Sequence, residues 1–366
     1  MKAAILQEVR RPLVVADVEV QEPREGEVLV RMVAGGVCRS DLHAMHGEIA
    51  APLPVVPGHE GAGIVEAVGP GVTSVRPGDH VVLLWRASCG KCYFCVRGRP
   101  ALCDLGAKVR WTGKLRDGTS RFRWRGQEIN HFGGVSSFSE YSVLLAEAVI
   151  PIRKDVPLEK AALVGCAVLT GVGAVTNTVK VEPGSSVAVV GTGGVGLNVI
   201  QGAALVGAER IIAVDVLDNK LEFARQFGAT DVVNSAREDP VAAVQALTEG
   251  RGADYAFEVI GTAQTVAQAL ALARRGGSAV IIGQPPRGVE VGVDVQSFVL
   301  QEKSLIASLY GTTVPYLDVP RLLGLYVAGK LKLDELITRE YPIEQINEAF
   351  DALQRGEVAR SIIRFG

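Results

Sequence analysis

The chain has six cysteines, and their spacing sorts them into two sets. Cys89, Cys92, Cys95 and Cys103 stand in C-G-K-C-Y-F-C-V-R-G-R-P-A-L-C, with gaps of two, two and seven residues. Four thiolates this close can surround one zinc ion, each sulfur about 2.3 Å from the metal, in a loop wrapped by its short spacers. With every ligand position filled by protein, such a site holds structure rather than doing chemistry. Cys38 and Cys166 are left over. Cys38 lies in Gly36-Val37-Cys38-Arg39-Ser40-Asp41-Leu42-His43, and Cys166 in Val164-Gly165-Cys166-Ala167-Val168. Between them lies Pro57-Gly58-His59-Glu60-Gly61. Two thiolates and an imidazole can hold a zinc with one position open to a reactant. Singly, each has a plainer reading, Cys166 as a small apolar helix residue and His59 as a turn histidine.

A second constellation is Gly191-Thr192-Gly193-Gly194-Val195-Gly196, directly after the apolar run 186–190. Gly191 permits a tight turn, Gly193 lets the backbone approach a pyrophosphate, and Gly196 lets the following helix press on the strand. Asp215 follows 24 residues after Gly191, at the end of the next apolar run. A carboxylate there accepts hydrogen bonds from a ribose diol and repels a 2′-phosphate. Val216 and Leu217 follow it rather than an arginine, so the pattern favours NAD over NADP. The competing reading makes Asp215 the N-cap of a helix beginning near 217–220.

The elements that must position these residues change character along the chain. Up to about residue 150, short strand-like segments (27–33, 63–69, 80–84) alternate with turns such as Pro70-Gly71 and Pro77-Gly78-Asp79. They predict an antiparallel, barrel-like region. Beyond residue 160, apolar runs at 186–190, 210–214, 231–234, 254–259, 278–282 and 304–307 alternate with helical stretches. Six such runs predict an α/β domain with a doubly wound parallel sheet. The strand-like end, 361–365, is expected to pack back on the N-terminal region.

Bulk properties narrow the function. A net charge of −2 gives no electrostatic footprint for a nucleic acid. The basic stretch Lys108, Arg110, Lys114, Arg116, Arg121, Arg123 and Arg125, with Trp111 and Trp124 interleaved, reads as a solvated surface segment. No secretory signal and no apolar run of about 18 residues is evident, so membrane partners are not expected and the thiols are expected to stay reduced in the cytoplasm.

With these motifs assembled, the chain resembles the zinc-dependent medium-chain alcohol dehydrogenases from Met1 to Gly366, in its long-loop, dimeric branch. The resemblance rests on G-H-E at 58–60, the four-cysteine lobe, C-R-S-D-x-H at 38–43 and the glycine motif with Asp215. It implies a GroES-like catalytic zinc domain over 1–167 and 309–366, with a structural-zinc lobe at 86–105, and a six-stranded Rossmann domain over 168–308. It implies two zincs per subunit: a catalytic one on Cys38, His59 and Cys166, and a structural one on Cys89, Cys92, Cys95 and Cys103. Glu60 matches a carboxylate able to approach the catalytic metal, and Asp41 one that orients the histidine. Ser40 and His43 match a proton relay running through the cofactor ribose. Arg39 and Arg360 match pyrophosphate contacts, Lys220 a residue near the adenosine ribose, and Thr170 and Val195 residues holding the nicotinamide.

The resemblance also places Ser40, Trp85, Phe132 and Gly133 in the substrate pocket. Trp85 would narrow it beside the metal, and Gly133 would open space next to Phe132. The implied reaction is NAD-linked, reversible hydride transfer between a primary alcohol, aromatic or allylic in the favoured case, and its aldehyde. The implied assembly is a homodimer, with a tetramer as the alternative. The long 103–138 segment also resembles glutathione-dependent formaldehyde dehydrogenases, but Ala107 stands where those have an arginine, and Glu48 is the one candidate acid before G-H-E. A non-catalytic relative is the remaining alternative. Such a chain would lack several ligands, whereas this one keeps all seven.

Overall fold

The computed structural model describes all residues, Met1–Gly366. The chain divides into two compact units, one of Met1–Cys166, Val314–Gly329 and Leu333–Gly366, the other of Ala167–Thr313 and Lys330–Lys332.

The first unit is organised by a long strand, β1 (Glu27–Val37). Val28, Val30, Met32 and Ala34 are buried while Leu29, Arg31 and Val33 are only partly so, the period of two expected of a strand with one core face. After it come α1 (Arg39–Met45), β2 (Gly61–Val68), β3 (His80–Leu83), α2 (Asp104–Thr112), β4 (Tyr141–Leu145) and β5 (Val149–Pro151). β1 pairs antiparallel with both β2 and β4, and β3 joins β2 to β5, also antiparallel. The sequence pattern places the end of β1 near residue 33. The structure carries it to Val37, because Gly35 and Gly36 run through space too tight for side chains. A Cβ on Gly35 would sit 2.9 Å from Ser137 O, and one on Gly36 2.7 Å from Glu60 Oε2. The strand therefore delivers the chain directly to Cys38.

The helix α3 (Leu158–Thr178) follows, apolar on average although no unbroken run of about 18 apolar residues lies in it. By length and composition it could cross a membrane, with mean hydropathy 1.6, but 89% of that window is buried inside the protein. Its apolar side chains serve the core.

The second unit contains β6 (Ser186–Val190), α4 (Gly194–Leu205), β7 (Arg210–Asp215), α5 (Asp218–Gln226), β8 (Asp231–Asn234), β9 (Ala253–Glu258), β10 (Ala273–Ile281) and β11 (Ser304–Ala307). The sheet order is β8-β7-β6-β9-β10-β11, and every pair is parallel. This is the doubly wound sheet the six apolar runs predict, and its strand order reverses between β6 and β9. Ala188, Val190, Ile212, Val214, Ala256 and Ala279 lie in its core. The chain then returns to the first unit as β12 (Ile337–Pro342) and β13 (Arg360–Arg364). β13 pairs antiparallel with β1, Ser361 opposite Val37, so the C-terminal strand packs on the N-terminal sheet.

The basic stretch is solvated at Lys108, Arg116, Arg123 and Arg125, as its composition suggests, but not at Arg121. Arg121 is fully buried, with Nε 2.8 Å and Nη2 2.6 Å from the two carboxylate oxygens of Glu27, and Nη2 also 2.7 Å from Asp117. The paired acid at position 27 lies 94 residues away in sequence, so no local pattern announces it.

Candidate functional site

All six cysteines are free thiols. One cluster forms where three segments of the first unit meet: Cys38 after β1, His59 and Glu60 before β2, and Cys166 on α3. Their ligand atoms all lie within 4.8 Å of one another, and all four residues are buried. Glu60 thus lies among the atoms that could hold a metal. His59 is oriented by its neighbour in α1: Nδ1 lies 3.0 Å from Asp41 Oδ1, which also accepts from the Gly58 N–H at 3.1 Å. That leaves Nε2 on the cluster side, 3.9 Å from Glu60 Oε1.

The electrostatics suit a metal. Cys38 is held well below the usual thiol range, first by a hydrogen bond from Cys166 and, against the cost of burial, by Arg360 and His59. Burial opposes a charge on His59, yet Asp41 and Cys38 together raise its pKa. Burial lifts the Glu60 carboxyl to about 8, against the pull of Arg360. Two carboxylate oxygens here, Asp41 Oδ2 and Glu60 Oε2, are buried without a hydrogen-bond partner. Such orphans are rare unless a missing group satisfies them. Two sulfurs, an imidazole nitrogen and a carboxylate oxygen are a donor set for zinc.

The second cluster is Cys89, Cys92, Cys95 and Cys103, again with all ligand atoms within 4.8 Å. Cys92 Sγ and Cys103 Sγ are 3.9 Å apart. A tetrahedron with centre-to-corner bonds of about 2.3 Å has edges of about 3.8 Å, so this pair fits one zinc. Backbone N–H groups of Cys89 and Cys92 point at the sulfurs of Cys103 and Cys89, each at 3.3 Å.

Around His59 lie two aromatic rings, Trp85 with centroid 6.5 Å away and Phe132 at 6.1 Å, both edge-on. Gly133 is buried beside them. An added Cβ would meet only ordinary contacts at 3.7 Å or more, but its φ of +61° is one that side chains disfavour. Glycine there answers to the turn more than to space. On α1, Arg39 is exposed, whereas Ser40 and His43 are half-buried. His43 Nδ1 contacts Glu48 Oε2 closely, which engages the acid singled out before G-H-E. Arg360 is buried with its guanidinium against Glu60 Oε1, so the structure puts it at the metal cluster, with Nε lacking a partner.

In the second unit the glycine loop explains itself position by position. Gly191 has φ +95°, and a Cβ there would strike Ile260 at 2.6 Å. A Cβ on Gly196 would sit 1.9 Å from Gly191 O, so only glycine lets α4 approach the turn. Gly193 is different, because nothing lies within 4 Å of where its Cβ would be. The protein does not need a glycine there, and the open space at the start of a 12-residue helix suits a phosphate. Gly194 and Val195 are half-buried at that helix start, Lys220 is half-buried on α5, and Thr170 is buried in α3.

Asp215 does not cap α5, whose N-cap position is Leu217, without a side-chain cap bond. Its Oδ2 accepts from Thr192 N at 2.8 Å and Thr192 Oγ1 at 3.0 Å, and Oδ1 accepts from Val216 N at 2.8 Å and Leu217 N at 3.2 Å. The acid therefore pins the glycine loop to the end of β7, a role the spacing alone did not disclose.

Sequence reasoning also passed over His131. It is fully buried, its ring nitrogen accepts from Arg121 N at 3.3 Å, and burial with Arg121 and Lys114 nearby pushes its pKa down to about 3. It belongs to the Arg121 network, and only the fold brings it there.

Comparison with known proteins agrees across both units. A family model described as the alcohol dehydrogenase GroES-like domain matches residues 24–154, and one described as zinc-binding dehydrogenase matches residues 194–327. The structure of an alcohol dehydrogenase zinc-binding domain protein from Burkholderia ambifaria is 36% identical, with TM-score 0.95, over 100% of this chain and 98% of that one. Benzyl alcohol dehydrogenase from Acinetobacter calcoaceticus is 35% identical, with TM-score 0.95, over 100% and 99% of the two chains. The alcohol dehydrogenase of the archaeon Aeropyrum pernix is 30% identical, with TM-score 0.82, over the full length of both. Similarity that runs from end to end through both units makes this chain a member of the zinc-dependent medium-chain alcohol dehydrogenase family.

Proposed function

We propose that this oxidoreductase carries out NAD-linked, reversible oxidation of primary alcohols bearing an aromatic or allylic group, with two zincs per chain, as a cytoplasmic homodimer. The observation that carries the reading is the buried convergence of Cys38, His59, Glu60 and Cys166 within 4.8 Å, with Asp41 behind the histidine. The rings of Trp85 and Phe132 edge-on to His59 support an aromatic substrate, as does the likeness to a benzyl alcohol dehydrogenase.

Zinc, when bound by Cys38, His59 and Cys166, supplies the Lewis acidity that lets an alcohol give up its proton near neutral pH. The residues do the rest. Asp41 fixes the His59 tautomer by accepting from Nδ1, so that Nε2 is the ligand nitrogen. Glu60, held by Arg360 on one oxygen and unpartnered on the other, would have that second oxygen to offer a bound metal. Trp85 and Phe132, 8% and 7% exposed, keep water from the hydride-donating carbon. Ser40 and His43 lie three residues apart on one helix, on neighbouring faces, and carry the released proton outward. With Glu48 holding His43 Nδ1, Nε2 is the atom that takes it. Asp215 and the open face at Gly193 receive NAD.

Steady-state kinetics on a panel of aliphatic, allylic and aromatic alcohols, with NAD and with NADP, tests this. Formaldehyde with and without glutathione completes the panel. The proposal predicts the highest kcat/KM for benzyl-type alcohols with NAD. Dominant activity with NADP, or with the glutathione adduct, would overturn it.

A further inference from the structure

The basic stretch after the four-cysteine loop contains a cation that reaches the aromatic rings beside His59. Arg110 lies in the last turn of α2, the helix whose N-cap is the zinc-site residue Cys103. That helix presses on the chain after β3, and a Cβ on Gly106 would sit 2.4 Å from Ala87 O. The Arg110 guanidinium carbon ends 4.7 Å over the Trp85 ring and 5.6 Å from the Trp111 ring. Trp85 in turn meets His59 edge-on. The cation thus stacks on the same ring whose edge meets His59.

Three of its basic neighbours in sequence are paired with acids. Lys114 contacts Glu128, Arg116 contacts Glu147, and Arg121 is bound by Glu27 and Asp117. Arg110 forms neither an ion pair nor a hydrogen bond, and its contacts are with rings. The charged groups acting on it are Arg86, which repels it, and Cys166 and Asp41, which are committed to the metal cluster and to His59. Burial lowers its pKa from the usual arginine value. Stacking occupies the faces of a guanidinium and leaves its N–H edges free, and on this partly buried side chain the five donors have no protein acceptor. A carboxylate matches those edges bidentately, which a neutral ligand cannot.

We propose that Arg110 is a specificity residue that pairs with a carboxylate on the substrate, so that the favoured alcohols are aromatic rings carrying both a hydroxymethyl and an acid group, the hydroxymethylbenzoate class. This rests on the Cys38–His59 cluster being the site of alcohol oxidation.

The test uses the zinc-loaded enzyme with NAD and compares kcat/KM for 3- and 4-(hydroxymethyl)benzoate with that for benzyl alcohol. A charge-assisted pair predicts a preference of about 10- to 100-fold for one of the acids. In Arg110→Gln that ratio falls to about one, chiefly through KM, and Arg110→Lys restores part of it. An arm without variants guards against misfolding: benzoate should compete with benzyl alcohol about tenfold more tightly than neutral benzamide. Two of the three tryptophans, Trp85 and Trp111, flank Arg110, so benzoate binding should also change tryptophan fluorescence in the wild type. Equal kcat/KM for acid and neutral alcohols, or equal inhibition by benzoate and benzamide, would overturn the role of Arg110 and leave the proposed reaction standing. Turnover of none of these alcohols would overturn the reaction itself.

Discussion

Asp41→Asn should loosen one zinc and spare the other. Asp41 is fully buried, and its Oδ1 accepts from His59 Nδ1 at 3.0 Å and Gly58 N at 3.1 Å. Asparagine keeps the volume and that acceptor oxygen, so the lost quantity is the charge that strengthens the ligand histidine. The amide nitrogen would take the place of Oδ2, which has no partner in the wild type, and so adds an unsatisfied donor. Removing such an outer partner costs about 10- to 100-fold in metal affinity. That corresponds to about 1.4 to 2.8 kcal/mol. Titrating purified protein with a colorimetric zinc chelator reads both sites at once, with the four-cysteine site as internal control. The variant should surrender its first zinc at about 10- to 100-fold lower chelator concentration and its second at the wild-type concentration. Identical release curves would refute the claim that Asp41 supports the metal through His59.

Three further outcomes follow from the geometry. Asp215→Ala should raise KM for NAD and lower the NAD/NADP preference, because it removes both the charge and the tie to Thr192; an unchanged ratio of the two kcat/KM values would leave it a loop anchor only. Cys95→Ser should lower the melting temperature before it lowers kcat per folded molecule, since that zinc contributes folding energy; wild-type melting would contradict it. Arg121→Met strands Glu27, only 2% exposed, as an unpaired charge and should destabilise the first unit by about 3–5 kcal/mol in denaturant titration. The double variant with Glu27→Leu should recover most of that, and a single-variant loss below about 1 kcal/mol would show the pair to be dispensable.

The parts of this protein legible in its sequence are those where chemistry forces residue type and spacing together. The four close cysteines, the glycine loop and the six apolar runs are of that kind, and the doubly wound sheet followed from them. What stayed hidden depends on partners distant along the chain. Arg121 reads as solvated because Glu27 is far upstream, and the contact of Arg360 with Glu60 needs β13 to bring position 360 against position 60. β1 outran its apolar pattern because Gly35 and Gly36 carry no hydrophobic signal, although tight packing requires them. α3 shows no unbroken apolar run in the sequence because Glu159 and Lys160 at its start and Thr170, Thr176 and Asn177 within it interrupt one. Asp215 reads in sequence as a ribose contact or a helix cap, and its bonds to Thr192 close a turn that only the fold brings together.

The central claim is a catalytic zinc on Cys38, His59 and Cys166, separate from a structural one. Zinc analysis of freshly purified wild type and Cys38→Ser, with benzyl alcohol turnover measured on the same samples, tests it most directly. The account predicts two zincs per chain and turnover in the wild type, and one zinc, an intact fold and no turnover in the variant. A Cys38→Ser protein with wild-type kcat, or a fully active wild type carrying a single zinc, would contradict it.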